Sequence, residues 1–203
     1  MPFTHGYVPW NKGRCIGQKR PFKLAEIDII RTALQERSRL RELAMFNLAI
    51  DSKLRGCDLI SIRIEDVLVG STVRDRTSIM QKKTKALVQF EIGSRARASL
   101  DAWIKILGKN RGPLFPSRRY PDRALTVRSY ARIVDSWVLL AGLERGLYGT
   151  HTLRRTKATV LYRQTGNLRA VQLLLGHKSI ENTVRYLGVD VDDALELSGQ
   201  MDI

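Results

Sequence analysis

Apolar residues near the start of the chain recur at a helical spacing. The segment "LAEIDIIRTALQE", which begins at Leu24, brings Ile27, Ile30 and Leu34 to one face of a helix. The following segment, "RLRELAMFNLAI", repeats the pattern at Leu40, Leu43, Phe46, Leu48 and Ile50. The two segments therefore predict two amphipathic helices.

The pattern changes after Gly56. Asp58 is a plausible N-cap for "LISIRIEDV", which we interpret as a short helix or an extended turn. The segment "TSIMQKKTKALVQFEI" predicts a β-hairpin, because its second limb alternates Val88, Phe90 and Ile92 with polar residues. A small antiparallel sheet is therefore expected in the middle of the chain.

Helical spacing returns in the second half. Ser94 can cap the helix "RARASLDAWIKIL", and the loop "GPLFPSRRYPDRALT" separates it from the helix "VRSYARIVDSWVLLAGL". Breaks at Gly166 and at Gly176 divide the next stretch into three short helices, 150–164, 168–175 and 180–187. A last amphipathic segment, "VDDALEL", follows. The expected fold is mainly α with a small antiparallel β-hairpin or sheet, an α+β class.

The first 22 residues form a different kind of segment. They are rich in Gly, Pro, Lys and Arg and show neither a helical nor a strand period. We interpret residues 1–22 as a basic arm and residues 23–203 as one domain. A disordered tail and an arm that contacts DNA are both consistent with this composition.

Composition and charge narrow the class of partner. The chain has 203 residues, of which 43% are hydrophobic, as expected of a globular domain. Its formal net charge of +15 favours a polyanion, most simply nucleic acid. A membrane surface is the competing polyanion, but the sequence shows no run of 18 apolar residues and no signal-peptide core. We expect a cytoplasmic protein, although charge alone predicts no activity.

The sequence shows no pattern for a bound metal or nucleotide. Cys15 and Cys57 have neither a disulfide framework nor the spacing of metal ligands. No zinc pattern, Gly-rich phosphate loop or cluster of carboxylates stands out. We therefore expect chemistry that needs no cofactor.

Candidate chemistry is concentrated between His151 and Tyr186. His151 and Arg154 are three positions apart at a predicted helix start, so they share a face. The planar guanidinium of Arg154 can bind two phosphate oxygens at once. Arg155 could serve as well, and spacing alone does not choose between the two arginines. His177 follows a helix break, nine residues before Tyr186.

The segments "HTLRRTKATVL" and "LLGHKSIENTVRYL" resemble the signature of the tyrosine recombinases, the phage integrase family. That signature is His-x-x-Arg, then Leu-Gly-His, then a tyrosine nine residues later. The segment "AIDSKLRGCDLISIRIEDV" resembles the part of the family that carries its first catalytic arginine, here Arg55. The resemblance spans about residues 24–195.

The segment "QKKTKALVQFEI" resembles the family's hairpin lysine, which is most naturally Lys83 before Thr84. Lys82 and Lys85 compete for this role. Strand alternation would put Lys83 and Lys85 on one face of the hairpin and Lys82 on the other, which leaves Lys83 and Lys85 as the open pair. Lys83 is the favoured candidate.

The resemblance implies a set of catalytic roles. Tyr186 would attack a DNA phosphate, form a 3′-phosphotyrosyl link and release a 5′-hydroxyl without metal or ATP. Arg55 and Arg154 would hold the charge of the transition state. Lys83 would protonate the leaving oxygen. The two histidines would complete the set: His151 would assist proton movement at the tyrosine, and His177 would donate a hydrogen bond to phosphate.

The resemblance also implies partners. Typical family members carry a helical core-binding domain before the catalytic domain, whereas only some 22 residues precede the catalytic region here. Short recombinases that invert fimbrial promoter segments are similar. We expect no separate core-binding domain, double-stranded DNA as the partner, and a homotetramer on two sites. A partner recombinase or a DNA-bending protein is a further expected partner, and the segment after Tyr186 is predicted to dock either on a neighbouring protomer or on its own domain.

Two alternatives remain beside a site-specific recombinase. One is a DNA-binding accessory or regulatory protein that retains the fold. The other is a type IB topoisomerase, which uses a similar set of arginine, lysine, histidine and tyrosine. The Leu-Gly-His segment favours the recombinase over the topoisomerase.

Overall fold

The computed structural model describes residues 18–188, which form helices and two small antiparallel sheets. The elements are α1 Leu24–Glu36, α2 Leu40–Ser52, α3 Gly56–Leu59, α4 Ile64–Val67, β1 Leu68–Val69, β2 Thr72–Val73, β3 Arg76–Met80, β4 Leu87–Glu91, α5 Ser94–Leu107, α6 Val127–Leu140, α7 Thr150–Thr165, α8 Leu168–Leu175 and α9 Ile180–Leu187. The expected mainly α fold is confirmed. The segment "VDDALEL" and most of the predicted basic arm lie outside the described residues.

Helix α2 lies at the centre of the core. Ten of its thirteen residues are buried, far more than one amphipathic face would supply. Phe46 and Trp137 meet edge to face, with ring centroids 5.3 Å apart. The indole Nε1 of Trp137 donates to Glu42 Oε2 at 2.9 Å, and Arg39 pairs with the same carboxylate at 2.6 Å. The buried acid is therefore satisfied, and α2 is fixed against α6.

The hairpin of β3 and β4 pairs Arg76 with Glu91 at its open end and Met80 with Leu87 at its closed end. The expected burial of Val88 and Phe90 is confirmed. The three candidate lysines do not lie on the strands, because β3 ends at Met80 and β4 begins at Leu87. The prediction of their faces from strand alternation is therefore wrong: all three lie in the connecting turn, where the period of two does not apply.

Two capping predictions are also wrong. Asp58 is not an N-cap but lies inside α3, where it is fully buried. The N-cap of α5 is Gly93, one residue before Ser94, and its amide donates to Asp51 Oδ2 at 2.9 Å. The carboxylate of Asp58 instead accepts from the amide of Lys82 at 2.9 Å, and Ser94 is already the first residue of its helix.

The end of α8 packs against the hairpin. Gly176 ends this helix with φ of +64°, and a Cβ at this position would lie 2.7 Å from Val88 Cγ2. Glycine is therefore needed twice, for the left-handed backbone and for the close approach of β4. The contact sets the position of His177, the next residue.

Candidate active site

Arg55 stands where three elements meet. It is the N-cap residue of α3, and a Cβ on the adjacent Gly56 would lie 3.0 Å from the ring of Tyr130 and 3.7 Å from Thr150 Cβ. Tyr130 is in the first turn of α6 and Thr150 begins α7. Arg55 is therefore held next to the start of α7, where His151 and Arg154 lie. The sequence separates these residues by about a hundred positions.

Arg154 is a buried arginine held by two backbone carbonyls. Its Nη1 donates to Lys53 O at 2.6 Å, and its Nη2 donates to Leu175 O at 2.7 Å. Lys53 ends α2 with a left-handed φ of 54°, which turns its carbonyl toward the guanidinium. The arginine is 2% exposed, and no carboxylate of residues 18–188 hydrogen-bonds to it. Its charge is thus fixed in place and available to an anion.

His177 lies between Arg154 and α9. Its Nε2 is 3.3 Å from Arg154 Nη2, and its Nδ1 is 3.1 Å from the buried Thr183 Oγ1. Burial, followed by the charges of Arg154 and Arg55, lowers the pKa of His177 to about 4. The imidazole is therefore neutral near pH 7 in the absence of an anion.

Tyr186 lies on α9 with its ring close to three cationic or polar groups. The His177 ring meets it edge to face at 5.2 Å, and the guanidinium carbons of Arg154 and Arg155 lie over it at 5.8 and 5.5 Å. Its buried hydroxyl makes no well-aligned hydrogen bond among residues 18–188, although the Arg154 guanidinium lies close enough to lower its pKa. Burial raises the pKa of Tyr186 to about 12, against the opposing effect of Arg154 and Arg155.

His151 and Lys83 lie at the solvent side of the same cluster. His151 is exposed at the start of α7. Loss of hydration and the charges of Arg154, Arg55, Arg155 and Lys83 lower the pKa of His151. Lys83 is exposed in the hairpin turn, and it is the one lysine of that turn among these causes. The charge of Lys83 therefore acts on His151.

Arg155 has a different role from Arg154. Its Nη1 donates to Lys19 O at 3.0 Å and its Nη2 to Leu187 O at 3.5 Å. These contacts tie the segment before α1 and the end of α9 to α7. The two arginines that spacing left open differ in their contacts: Arg154 lies next to His177, whereas Arg155 binds the carbonyl of Leu187, the residue after Tyr186.

Two buried polar side chains next to this cluster were not predicted as site residues. Gln81 accepts a hydrogen bond from Arg55 Nη1 at 2.5 Å, and Asp58 Oδ1 accepts one from the amide of Lys82 at 2.9 Å. Asp58 supplies a negative charge close to Arg154. Spacing offered a signal for neither role, because polar residues in a turn or at a helix start are ordinary.

The six residues predicted for the site, Arg55, Lys83, His151, Arg154, His177 and Tyr186, thus belong to one cluster. Within residues 18–188 its cations, Arg55, Lys83 and Arg154, form no salt bridge, and the buried carboxylate of Asp58 lies close to Arg154. Such a site is suited to a phosphate, because guanidinium groups bind phosphate oxygens. A phenol next to that phosphate can act as a nucleophile. Within residues 18–188, no group of three or more His, Cys, Asp or Glu side chains could hold a metal ion.

No helix in the described part of the chain is long and apolar enough to cross a membrane.

Comparison with known proteins identifies a family for this chain. The family described as "Phage integrase family" matches residues 23–192. The tyrosine recombinase XerC of Pelobacter propionicus is 34% identical over 188 residues, which are 89% of this chain and 59% of that protein. The chain thus spans about three fifths of that relative.

Two solved structures share the fold. The XerA recombinase has a TM-score of 0.74 at 20% identity, over 91% of this chain and 65% of that one. A lambda integrase tetramer bound to a Holliday junction has a TM-score of 0.63 at 23% identity, over 84% of this chain and 48% of that one. At these identities the likeness concerns the fold.

Proposed function

Because the chain belongs to the phage integrase family, we propose that it is a site-specific tyrosine recombinase that cuts and rejoins duplex DNA through Tyr186. The observation that carries this proposal is the buried hydroxyl of Tyr186, which makes no well-aligned hydrogen bond within residues 18–188 and lies beside the guanidinium groups of Arg154 and Arg155. A phenol that costs energy to bury without a hydrogen bond is expected to have a function. We propose residues 23–203 as the catalytic domain.

The scissile phosphate binds between Arg55 and Arg154. Their charges offset the charge that develops on the non-bridging oxygens, and Arg154 is already fixed by two carbonyls at 2.6 and 2.7 Å. Phosphate binding also raises the pKa of His177, because the anion offsets the nearby arginines. A protonated His177 then donates a hydrogen bond to phosphate.

The nucleophile is the oxygen of Tyr186. With a pKa near 12, the phenol holds its proton at neutral pH until a base removes it. His151 is neutral there, because its pKa is lowered, and it accepts that proton. The new P–O bond to Tyr186 forms as the bond from phosphorus to the 5′ oxygen breaks. The product is a 3′-phosphotyrosyl link.

The 5′ oxygen leaves as an alcohol after it takes a proton from Lys83. An ammonium on an exposed turn can approach this oxygen once DNA is bound. In the reverse reaction the 5′-hydroxyl of another strand attacks the phosphotyrosyl link and releases Tyr186. In each direction one P–O bond forms as another breaks. The phosphotyrosyl link keeps the energy of the phosphodiester, so rejoining needs no other energy source.

Recombination requires four such active sites on two DNA duplexes, which supports a tetramer as the working assembly. The lambda integrase tetramer bound to a Holliday junction shares this fold. We propose the same assembly for this chain, with a partner recombinase or a DNA-bending protein supplying further contacts.

The proposal is tested by covalent trapping. Purified full-length chain is incubated with nicked duplexes tiled across the DNA that flanks its gene, then denatured and resolved on a gel. We expect a band of protein linked to DNA through a 3′ phosphate, together with a released DNA fragment that has a free 5′-hydroxyl. Tyr186→Phe should abolish the band. Tyr162→Phe is the matched control, because Tyr162 packs in the same small apolar cluster.

Three other results would overturn the proposal in different ways. A band that survives in Tyr186→Phe identifies another nucleophile. DNA binding without a band from any tile supports the accessory or regulatory protein. Relaxation of supercoiled plasmid without preference for any site supports the type IB topoisomerase.

A further inference from the structure

Gln81 is a buried amide next to the candidate active site that the proposed reaction does not use. It follows the last residue of β3, and its side chain is 0% exposed. Burial of an amide is costly unless both its oxygen and its nitrogen are hydrogen-bonded. The partners that Gln81 finds are therefore informative.

The amide of Gln81 contacts three separate parts of the site. Its Oε1 accepts from Arg55 Nη1 at 2.5 Å and from Thr84 Oγ1 at 2.7 Å. Its Nε2 faces Leu175 O at 3.4 Å, the carbonyl that also accepts from Arg154. Arginine can only donate, so the atom that faces Arg55 must be the oxygen, which fixes the orientation of the amide.

The backbone around Gln81 shapes the turn that carries Lys83. The amide of Gln81 donates to Ala86 O, and the amide of Lys85 donates to Gln81 O, each at 2.9 Å. The amide of Lys82 donates to Asp58 Oδ1 on α3. Lys83 itself is exposed, so the turn is held from beneath by Gln81 and Asp58 rather than by contacts of the lysine.

We propose that Gln81 is a positioning residue that links the placement of Lys83 to that of Arg55 and Arg154. Gln81 Oε1 accepts hydrogen bonds both from Arg55, which binds phosphate in the proposed reaction, and from Thr84, the residue after Lys83. Movement of the lysine turn therefore changes the hydrogen bonding of Arg55. This inference rests on the proposed recombinase function, in which Lys83 protonates the leaving oxygen.

The proposal is tested with two variants and one control. Gln81→Met keeps the volume and removes the hydrogen bonds. Thr84→Val keeps the shape and removes only the link between the turn and Gln81 Oε1. Gln89→Met makes the same change at an exposed position on β4 and is the control.

The measurement is the single-turnover rate of covalent complex formation at saturating protein, on two nicked duplexes. One has the natural oxygen at the scissile 5′ position, and the other has sulfur there. A thiol has a pKa of about 8.5, so a sulfur leaving group needs no protonation. Lys83→Ala should form the covalent complex slowly with the oxygen-containing duplex and at close to the wild-type rate with the sulfur-containing duplex.

We expect Thr84→Val to be about tenfold slower on oxygen and close to wild type on sulfur. Gln81→Met should be about a hundredfold slower on oxygen and should recover only part of that loss on sulfur, because Arg55 is also displaced. The DNA affinity and thermal stability of Thr84→Val should match those of Gln89→Met. Equal losses on both substrates, or no loss in either variant, would overturn the proposal.

A second readout does not depend on cleavage. Hydrogen exchange of the amides at 82–86 should accelerate in Gln81→Met and in Thr84→Val but not in Gln89→Met, because the turn loses its support. Unchanged exchange overturns the coupling of the turn to Gln81. If the wild-type chain forms no covalent complex with either substrate, the recombinase function fails, and the exchange result still decides the coupling.

Discussion

Arg154 Nη2 lies 3.3 Å from His177 Nε2, so a group that can only donate faces the outer nitrogen of the imidazole. That nitrogen must accept, and the ring proton therefore lies on Nδ1, 3.1 Å from Thr183 Oγ1. The tautomer of His177 follows from its neighbours. In the free protein this histidine is an acceptor, and it becomes a donor to phosphate only after it gains a proton.

The first prediction concerns stability at acid pH. The pKa of His177 is about 4 when folded, below the ordinary value of 6.5. Between these values the unfolded chain binds a proton that the folded chain does not, so stability falls as pH decreases from about 6.5 to about 4. Urea unfolding of His177→Gln should show a shallower decline over this window. A decline as steep as that of the wild type would contradict the lowered pKa.

Binding of a phosphate should raise the lowered pKa of His177. Nuclear magnetic resonance titration of the full chain should give a His177 pKa near 4 in a buffer without phosphate. Addition of a nicked duplex should raise it, because the phosphate charge offsets Arg154 and Arg55. Arg154→Gln removes the nearest charge and should raise the His177 pKa without DNA. A pKa that is insensitive to both changes would exclude His177 from the phosphate site.

Replacement of Arg154 by lysine should destabilise the chain even without DNA. A single ammonium has no planar fork with which to reach both Lys53 O and Leu175 O. One buried carbonyl is then left without a donor, at a cost of about 1–3 kcal/mol in the free energy of unfolding. Arg163→Lys, at an exposed position on the same helix, should change that free energy by less than about 0.5 kcal/mol. Denaturant unfolding measures both variants.

The contact between Gly176 and the hairpin should be visible in a pair of alanine variants. Gly166 and Gly176 have nearly the same φ, +62° and +64°, but only Gly176 has a side chain in the way, Val88 Cγ2 at 2.7 Å. Gly166→Ala should lose about 1–2 kcal/mol of unfolding free energy from the backbone alone. Gly176→Ala should lose about 1–3 kcal/mol more. Equal losses of unfolding free energy in the two variants would mean that Val88 moves aside without an energetic penalty.

Electrostatic attraction should dominate DNA binding. With a net charge of +15, the logarithm of the DNA affinity should fall linearly with the logarithm of salt concentration. Lys83→Ala should reduce that slope by about 1 if its ammonium meets a phosphate. Lys109→Ala should leave the slope unchanged, because Lys109 is 3.5 Å from Asp122. Fluorescence anisotropy between low and physiological salt measures the slopes, and a flat response would contradict an electrostatic interface.

The sequence determined those features of the chain that depend on local pattern. Helical spacing predicted α8 and α9 with their observed ends, and alternation predicted the buried face of β4. The order and spacing of His151, Arg154, His177 and Tyr186 are enough for the resemblance to the phage integrase family. These are properties of short stretches, in which neighbouring residues set the geometry.

Only the tertiary structure decided how distant segments complete one another. Arg154 differs from Arg155 in the carbonyls it reaches, and those belong to residues 101 positions before it and 21 after it. Lys83 differs from Lys82 and Lys85 in that its charge contributes to the lowered pKa of His151. Gln81 has no sequence pattern at all. Its role depends on an arginine 26 positions away and on a carbonyl 94 positions away, and such contacts exist only after the chain has folded.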